Sequence, residues 1–403
     1  MKHRSLPVTR DFDLNSVCRG DGMLFVRDGV GHAARDVVAE VHENDIKDWL
    51  AACAAHPLSH RQGPIAFGLV PFMPSESAWF RVPRVTFTKN ADGTRFVTVV
   101  SDNDEDLTDS AIEARMAEAL DAETPLPVSN SFTVAPLTPE STYLKAVETA
   151  RDSVRSGSIQ KAVIARDIEV SATDPIDVHA VLLRLRASFG SSYRFCVGNM
   201  IGASPELLVE IDGRTVRSHP LAGTAPRTGD PDTDARLAAD LVSSTKNQVE
   251  HRVVIDMVRD TLLPHCSYLD WEAEPSIVTV ANVQHLGTAI EGALAEPVPH
   301  VLQLVRALCP TPALGGSPTD RAIDIITANE GFSRGNYGGA VGFVDSDGRG
   351  TFAVTIRCAE ISNDRRRARL FAGGGIVAES DPRSELAETQ AKFQAMLSAI
   401  VRP

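Results

Sequence analysis

What most constrains this chain is the way its hydrophobic period changes along the second half. In FAVTIRCAEI, residues 352–361, apolar and other side chains alternate. Phe352, Val354, Ile356 and Cys358 then share one face and Thr355 and Arg357 the other, which is the two-residue repeat of a strand. KAVIARDIEV, residues 161–170, reads as a second strand. DLVSSTKNQVEHRVVIDMVRDTLL, residues 240–263, and RSELAETQAKFQAMLSAIV, residues 383–401, instead read as helices. A further helix opens at Pro139 and Glu140, carries Leu144, Val147 and Val154 at helical spacing, and closes at Gly157. Nearer the N-terminus, IAFGLVPFM and RVTFTKNADGTRFVTVVSD predict strands, the latter a pair turning at Asn90-Ala91-Asp92-Gly93. Strands joined by long helices demand a mixed α/β (α+β) architecture in which helices cover sheets. No GxGxxG follows a strand and no GxxxxGK[ST] occurs, which leaves Rossmann and P-loop sites without support.

Composition narrows the partners. Across 403 residues, 53 acidic against 40 basic side chains leave a formal charge of −13, the wrong sign for a nucleic-acid surface. A small anion needs only a local positive pocket, so it stays open. Charges interrupt every apolar stretch before the ~20 residues that cross a bilayer, and no apolar run follows the basic start MKHRSLPVTRDFDLN. Neither a membrane partner nor a secretory signal is expected. The six cysteines (18, 53, 196, 266, 309 and 358) form no CxxC pair, which points to thiols in a reducing cytoplasm. Between Asp102 and Pro136 the composition turns acidic and then rich in Pro, Ser and Thr, which reads as a surface connection. It separates an N-terminal part, 1–130, from a catalytic region, 131–403, the two packing as one compact unit.

Several residues have side chains suited to chemistry, each with a plainer alternative. Gly373, Gly374 and Gly375 either let a backbone approach a ligand and offer it amides, or form a bulge or turn. On the last helix Glu385, Glu388 and Lys392 fall within about 60° of arc. With Glu250 from the earlier helix, the two carboxylates either hold Mg²⁺ or make a solvated face with Glu388 paired to Lys392. Lys161 starts a strand among apolar neighbours and is either a base or a strand-end lysine reaching solvent. Glu206, after Ser204-Pro205, is an acid or a turn residue, and His285 and His219 are bases or core histidines.

In order along the chain, SPEL, HPLAGT, KxxxEH, QHLGT, PTPALGG, RGxYGGAVG, TIRCAE, FAGGGIV and SELAETxAK occupy residues 204–392. This succession resembles the chorismate-utilising enzymes, the family of anthranilate, aminodeoxychorismate, isochorismate and salicylate synthases, from about residue 135 to the end. The resemblance implies a sandwich of large, mostly antiparallel sheets flanked by helices. It implies that Glu250 and Glu388 bind Mg²⁺, with Glu385 beside it. Arg357, Tyr337, the amides of Gly373 to Gly375 and Lys392 would hold the carboxylates of chorismate. Ala222, Gly223, Thr224, Ala313 and Leu314 would line the substrate site, and His285 the reaction site. Lys161 would activate water for attack at C2, and Glu206 would protonate the departing C4 hydroxyl.

Three positions sort among the members. Lys161 stands where ammonia-using members have glutamine, so water is the expected nucleophile and no glutaminase subunit is expected. Ala222 stands where the PIKGT type carries a nucleophilic lysine, and PTPAL with Ala313 and Leu314 is similar to the isochorismate-forming members. Asn247 departs from the pattern: Asp or Glu is often found there, so one negative charge near the metal is missing. The implied activity is a Mg²⁺-dependent isomerisation of chorismate to isochorismate, serving siderophore, menaquinone or salicylate synthesis. The other readings are a salicylate synthase, which also eliminates pyruvate, and a chorismate-binding component without turnover.

Overall fold

In the computed structural model, residues 1–60, 62–121, 129–280 and 283–402 are described. Its architecture follows from one long strand, Trp79–Lys89. Val30–His42 pairs with it along one whole edge. The other edge is divided, Ile65–Val70 taking the first half and Arg95–Ser101 the second, with the expected turn closed by Gly93 donating to the Asn90 carbonyl at 3.0 Å. Two sheets therefore fan out from a common strand. One continues from Val30–His42 through Met23–Arg27, Tyr193–Val197, Met200–Ser204, Cys358–Ile361 and Arg367–Ile376 to Lys161–Ala172. The other continues from Ile65–Val70 through Ala340–Asp345, Gly350–Val354, Leu207–Asp212, Thr215–His219 and Ile290–Leu294 to Cys266–Trp271. All of these pairings are antiparallel. A small separate sheet joins Leu221–Pro226, Val283–Gly287 and Ser276–Val280.

The two sheets face each other across one apolar layer, with Phe25, Phe195 and Phe371 from the first meeting Phe67, Leu207 and Val341 from the second. Burying such an aromatic contributes about 1.5–3 kcal/mol, and the interdigitated rings fix the sheet spacing. Helices close the outer faces. Glu140–Arg155, Val178–Ser188 and Pro382–Ile400 cover the first sheet, and Thr245–Leu262 and Val301–Leu308 cover the second. On Pro382–Ile400 the anchors are Phe393, fully buried, with Leu386 and Leu397 partly so. No helix among the described residues is long and apolar enough to cross a membrane.

Four local expectations need correction. FAVTIRCAEI is two strands, not one. The chain leaves the second sheet after Val354 and enters the first at Cys358, bending at Arg357, whose φ of 50° is left-handed. Phe352 and Val354 face the helices outside the second sheet, whereas Cys358 faces the core between the sheets. The apolar alternation thus runs on while the layer it faces changes, and the break leaves no mark on it. The 240–263 stretch is likewise two helices, Pro231–Ser243 and Thr245–Leu262. Ser244 takes an extended conformation and its side chain accepts from the Asn247 amide, a cap that interrupts the apolar repeat. The supposed connection at 102–136 contains the helix Asp109–Asp121 and the strand Phe132–Pro136, which pairs with Lys161–Ala172; residues 122–128 lie outside the described set. That strand is largely exposed, and an edge strand that buries little has the composition of a loop. Finally, Gly373 to Gly375 form neither bulge nor turn but lie in register within Arg367–Ile376.

Candidate active site

The site is built on the antiparallel pair Lys161–Ala172 and Arg367–Ile376, where Gly375 lies opposite Val163 and Gly373 opposite Ala165. The glycines clear space for side chains from the covering helices. A Cβ on Gly375 would stand 2.2 Å from Glu250 Oε1 and 2.7 Å from Lys161 Cε. On Gly374, which points to the opposite face, it would stand 2.9 Å from Glu385 Oε2 and 3.9 Å from Glu388 Oε1. Glu250 comes from Thr245–Leu262, and Glu385 and Glu388 from Pro382–Ile400. The sequence alone could not join these helices; the sheet edge does.

Each carboxylate has a lysine. Lys161 Nζ lies 3.0 Å from Glu250 Oε1, Lys246 Nζ 3.1 Å from Glu385 Oε1, and Lys392 Nζ 2.6 Å from Glu388 Oε1. Lys392 also donates to the Gly373 carbonyl at 2.7 Å. This is not a solvated face, since Glu385 is only 3 % exposed, and Lys161, at 1 %, does not reach solvent from its strand end. Burial and the neighbouring Glu388 raise the Glu385 carboxyl above the usual range. As arranged, no three His, Cys, Asp or Glu side chains among the described residues stand close enough to share a metal ion. The donor chemistry nevertheless suits a hard cation. The carboxylates gather around a glycine cradle, and the buried Tyr143 hydroxyl beside Gly374 has no hydrogen-bond partner, as befits a hydrated ion that keeps several waters.

Beside this edge opens a pocket where apolar side chains meet convergent polar groups. It is lined by Glu206, Ala222, Gly223, Thr224, Glu250 and His285, and by Ala313, Leu314, Tyr337, Arg357, Gly373, Gly375 and Lys392. Nearly all the residues expected from the sequence thus converge. Lys161 lies behind Glu250, and Gly374, Glu385, Glu388 and His219 are not among the lining residues, although Glu388 reaches the lining through Lys392. Val163, Phe371 and Ile356 also line the pocket and were not anticipated. A signal existed for two of them: Val163 shares a strand face with Lys161, and Phe371 shares one with Gly373 and Gly375. Ile356 was assigned away from Arg357 because the strand was read as unbroken.

Electrostatics sorts the roles. Glu206 is 2 % exposed, and burial pushes its carboxyl up to about 8, against smaller opposing pulls from the Leu221 amide, Lys161 and Arg357. It is therefore protonated at neutral pH. Arg357 donates to His285 Nε2 at 3.0 Å, and since a guanidinium only donates, the ring proton sits on Nδ1 and faces the Gly223 carbonyl at 3.1 Å. Burial, with Arg357 and Lys392 adding to it, lowers the His285 pKa well below the usual value. His285 is thus a neutral ring with both nitrogens engaged, a positioning residue for Arg357. Tyr337 stacks on Phe371 with centroids 5.0 Å apart, and burial keeps its hydroxyl protonated as a donor. Asn247 packs against Gly223, whose φ of +78° excludes most side chains.

The sequence profile described as Chorismate binding enzyme matches residues 32–401. The chain belongs to the chorismate binding enzyme family. MenF of Mycobacterium tuberculosis (strain CDC 1551 / Oshkosh) is 44 % identical over 287 residues, 68 % of this chain and 77 % of that protein. The isochorismate synthase DhbC of Bacillus subtilis is 39 % identical over 282 residues, 67 % of this chain and 70 % of that one. DhbC from Bacillus anthracis has a solved structure that matches with a TM-score of 0.80 at 31 % identity, covering 96 % of this chain and 98 % of that one. The two-sheet sandwich flanked by helices is accordingly the architecture of this chorismate binding enzyme and of its relatives.

Proposed function

We propose that this chorismate binding enzyme is an isochorismate synthase, an isomerase that moves a hydroxyl from C4 to C2 of chorismate. The observation that carries the reading is a buried, protonated carboxyl, Glu206, in the pocket wall, with a buried lysine, Lys161, directly behind Glu250 in the same wall. Lys161 takes a proton from water, whose oxygen bonds to C2 as the ring double bonds shift and the C4–oxygen bond breaks. Glu206 gives its proton to that departing oxygen, which leaves as water. Arg357, held by His285, together with Lys392, Tyr337 and the Gly373 and Gly375 amides, binds the two carboxylates, so an acidic protein holds a dianion by local positive charge. Glu250 and Glu388, with Glu385 beside them, would hold Mg²⁺, which when bound neutralises the ring carboxylate and draws electron density toward it. The lysines now paired to these glutamates would yield to the ion.

The identity of the catalytic lysine supports water rather than ammonia as nucleophile, so the reading includes no glutaminase partner. With Ala222 in place of a nucleophilic lysine, no covalent adduct forms at that position. The scattered cysteines support a cytoplasmic setting. The test is incubation of the purified protein with chorismate and Mg²⁺ and chromatography of the products. Isochorismate is expected; salicylate with pyruvate as the main products, or unchanged chorismate, would overturn the proposal.

A further inference from the structure

The strand that begins with Lys161 has an interrupted edge. Gly316 and Ser317 pair with Ala162 and Lys161, and Phe132–Pro136 pairs with residues 168–172, but between them no strand of the described residues lies on that side. Backbone groups exposed in such a gap need partners. Gly315 accepts from the Val163 amide at 2.9 Å, Leu137 donates to the Asp167 carbonyl at 3.2 Å, and two buried side chains supply two further partners. Arg334 Nη2 donates to the Val163 carbonyl at 2.7 Å, and Glu330 Oε1 accepts from the Ala165 amide at 2.7 Å. Arg334 also donates to the Leu314 carbonyl at 2.7 Å and to both oxygens of Glu330. Its guanidinium lies over the Phe72 ring at 4.3 Å. Arg334 and Glu330 are 4 % and 2 % exposed.

We propose that the Glu330–Arg334 pair is a positioning clamp for the Lys161 base and for the pocket wall at Leu314. The pair takes the place of a missing strand segment. One planar fork ties the strand, two residues beyond Lys161, to the turn that carries Leu314, and both Val163 and Leu314 line the pocket. A buried ion pair adds little net stability over an apolar substitute, because desolvation offsets its attraction. Its directional hydrogen bonds, however, fix two backbones relative to each other, which a lysine or an apolar side chain would not do. Neither residue lines the pocket, so the effect on turnover passes through the two backbones that the pair ties together, above all the strand that carries Lys161.

The catalytic consequence rests on the isochorismate synthase reading, and the test separates the two. Arg334→Lys and Glu330→Gln are compared with wild type for kcat, chorismate affinity, thermal midpoint and amide exchange across residues 162–166. Arg334→Lys should lower kcat by roughly 10–100-fold, the cost of a displacement near 1 Å, with chorismate affinity changed less than about threefold. Exchange across 162–166 should rise about tenfold while the rest of the protein keeps its protection. In a Lys161→Ala background, under single-turnover conditions, Arg334→Lys should cost little more, because positioning an absent base has no effect. Should Arg334→Lys not fold, Glu330→Gln, which keeps the size but loses the charge, carries the same expectations. Unchanged kcat, a loss that simply adds to that of Lys161→Ala, or unchanged exchange at 162–166 would overturn the clamp. A wild type inert toward chorismate would overturn the functional reading instead, and the exchange measurement would still decide the clamp.

Discussion

Glu206 has the most distinctive electrostatic setting of the residues in the pocket, because its role depends on a proton that an exposed glutamate would have lost. With its carboxyl pushed up to about 8 by burial, the acid form is present below that pH and lost above it. Turnover should therefore fall as pH climbs past about 8. Glu206→Gln should lower kcat by ~10²–10⁴ and spare chorismate affinity; kcat near wild type would remove Glu206 from the mechanism. The sign for stability follows from the same shift. The unfolded chain releases this proton near the ordinary carboxyl pKa of about 4.3, the folded one only near 8, so between those values the folded state holds more protons and loses stability as pH rises. Thermal midpoints across that window should decline less for Glu206→Gln than for wild type. Lys161→Ala should slow water addition by ~10²–10⁴ but leave chorismate binding, since the carboxylate-holding groups lie on other elements. A variant that kept most of its kcat, or failed only through weaker binding, would refute the base assignment.

At the scale of elements, the glycine strand and the two acidic helices determine whether the site exists at all. Gly375→Ala places a methyl 2.2 Å from Glu250 Oε1, so the Lys161–Glu250 pair must move. We expect loss of turnover and about 1–3 kcal/mol of destabilisation, the usual cost of overpacking. Gly157→Ala, with φ of +76° but open space around the added Cβ, should cost about 1 kcal/mol and leave turnover intact. Chemical denaturation beside activity distinguishes the two. Glu388→Gln should abolish Mg²⁺-dependent turnover with the helix intact, as read from Mg²⁺ titrations. Near-normal metal dependence in that variant would sink its role as a ligand. These elements were legible in unequal measure. The Glu140–Arg155 and Pro382–Ile400 helices could be read from spacing because each buries one continuous stripe. The break at Ser244 was not, since a three-residue Ser-Ser-Thr run within an apolar repeat does not reveal whether it caps or continues a helix. The bend at Arg357 was invisible for a similar reason: Phe352 and Val354 before it and Cys358 after it are all buried and stay in phase, although they face different layers.

For the whole molecule, the pocket opens where a helix from each outer layer meets the Arg367–Ile376 strand, so ligand binding should stabilise the fold as a unit. Binding to the native state alone stabilises it by about 2.7 kcal/mol at a ligand concentration 100-fold above Kd. Chorismate should raise the thermal midpoint of Lys161→Ala, in which slowed turnover consumes little of it. No shift at saturating chorismate would mean that the substrate clamp is misassigned. Because the reaction only relocates a hydroxyl on one ring, wild type should form chorismate from isochorismate as well, and both directions should stop at the same ratio.

The sequence by itself determined the family, the layered mixture of sheets and helices, and the polar residues and glycines of the pocket, but not most of its apolar wall. Those follow from motif order and from local periodicity, which short-range sterics and the need to bury one face impose. It could not decide that Glu250 and Glu388 meet at opposite faces of one strand, that Lys161 is buried against Glu250, or that His285 serves Arg357. These depend on which helix covers which sheet edge. They also depend on burial, which raises the proton affinity of Glu206 and keeps the His285 ring neutral. Both are properties of contacts between residues far apart in the chain, and only the folded sandwich supplies them.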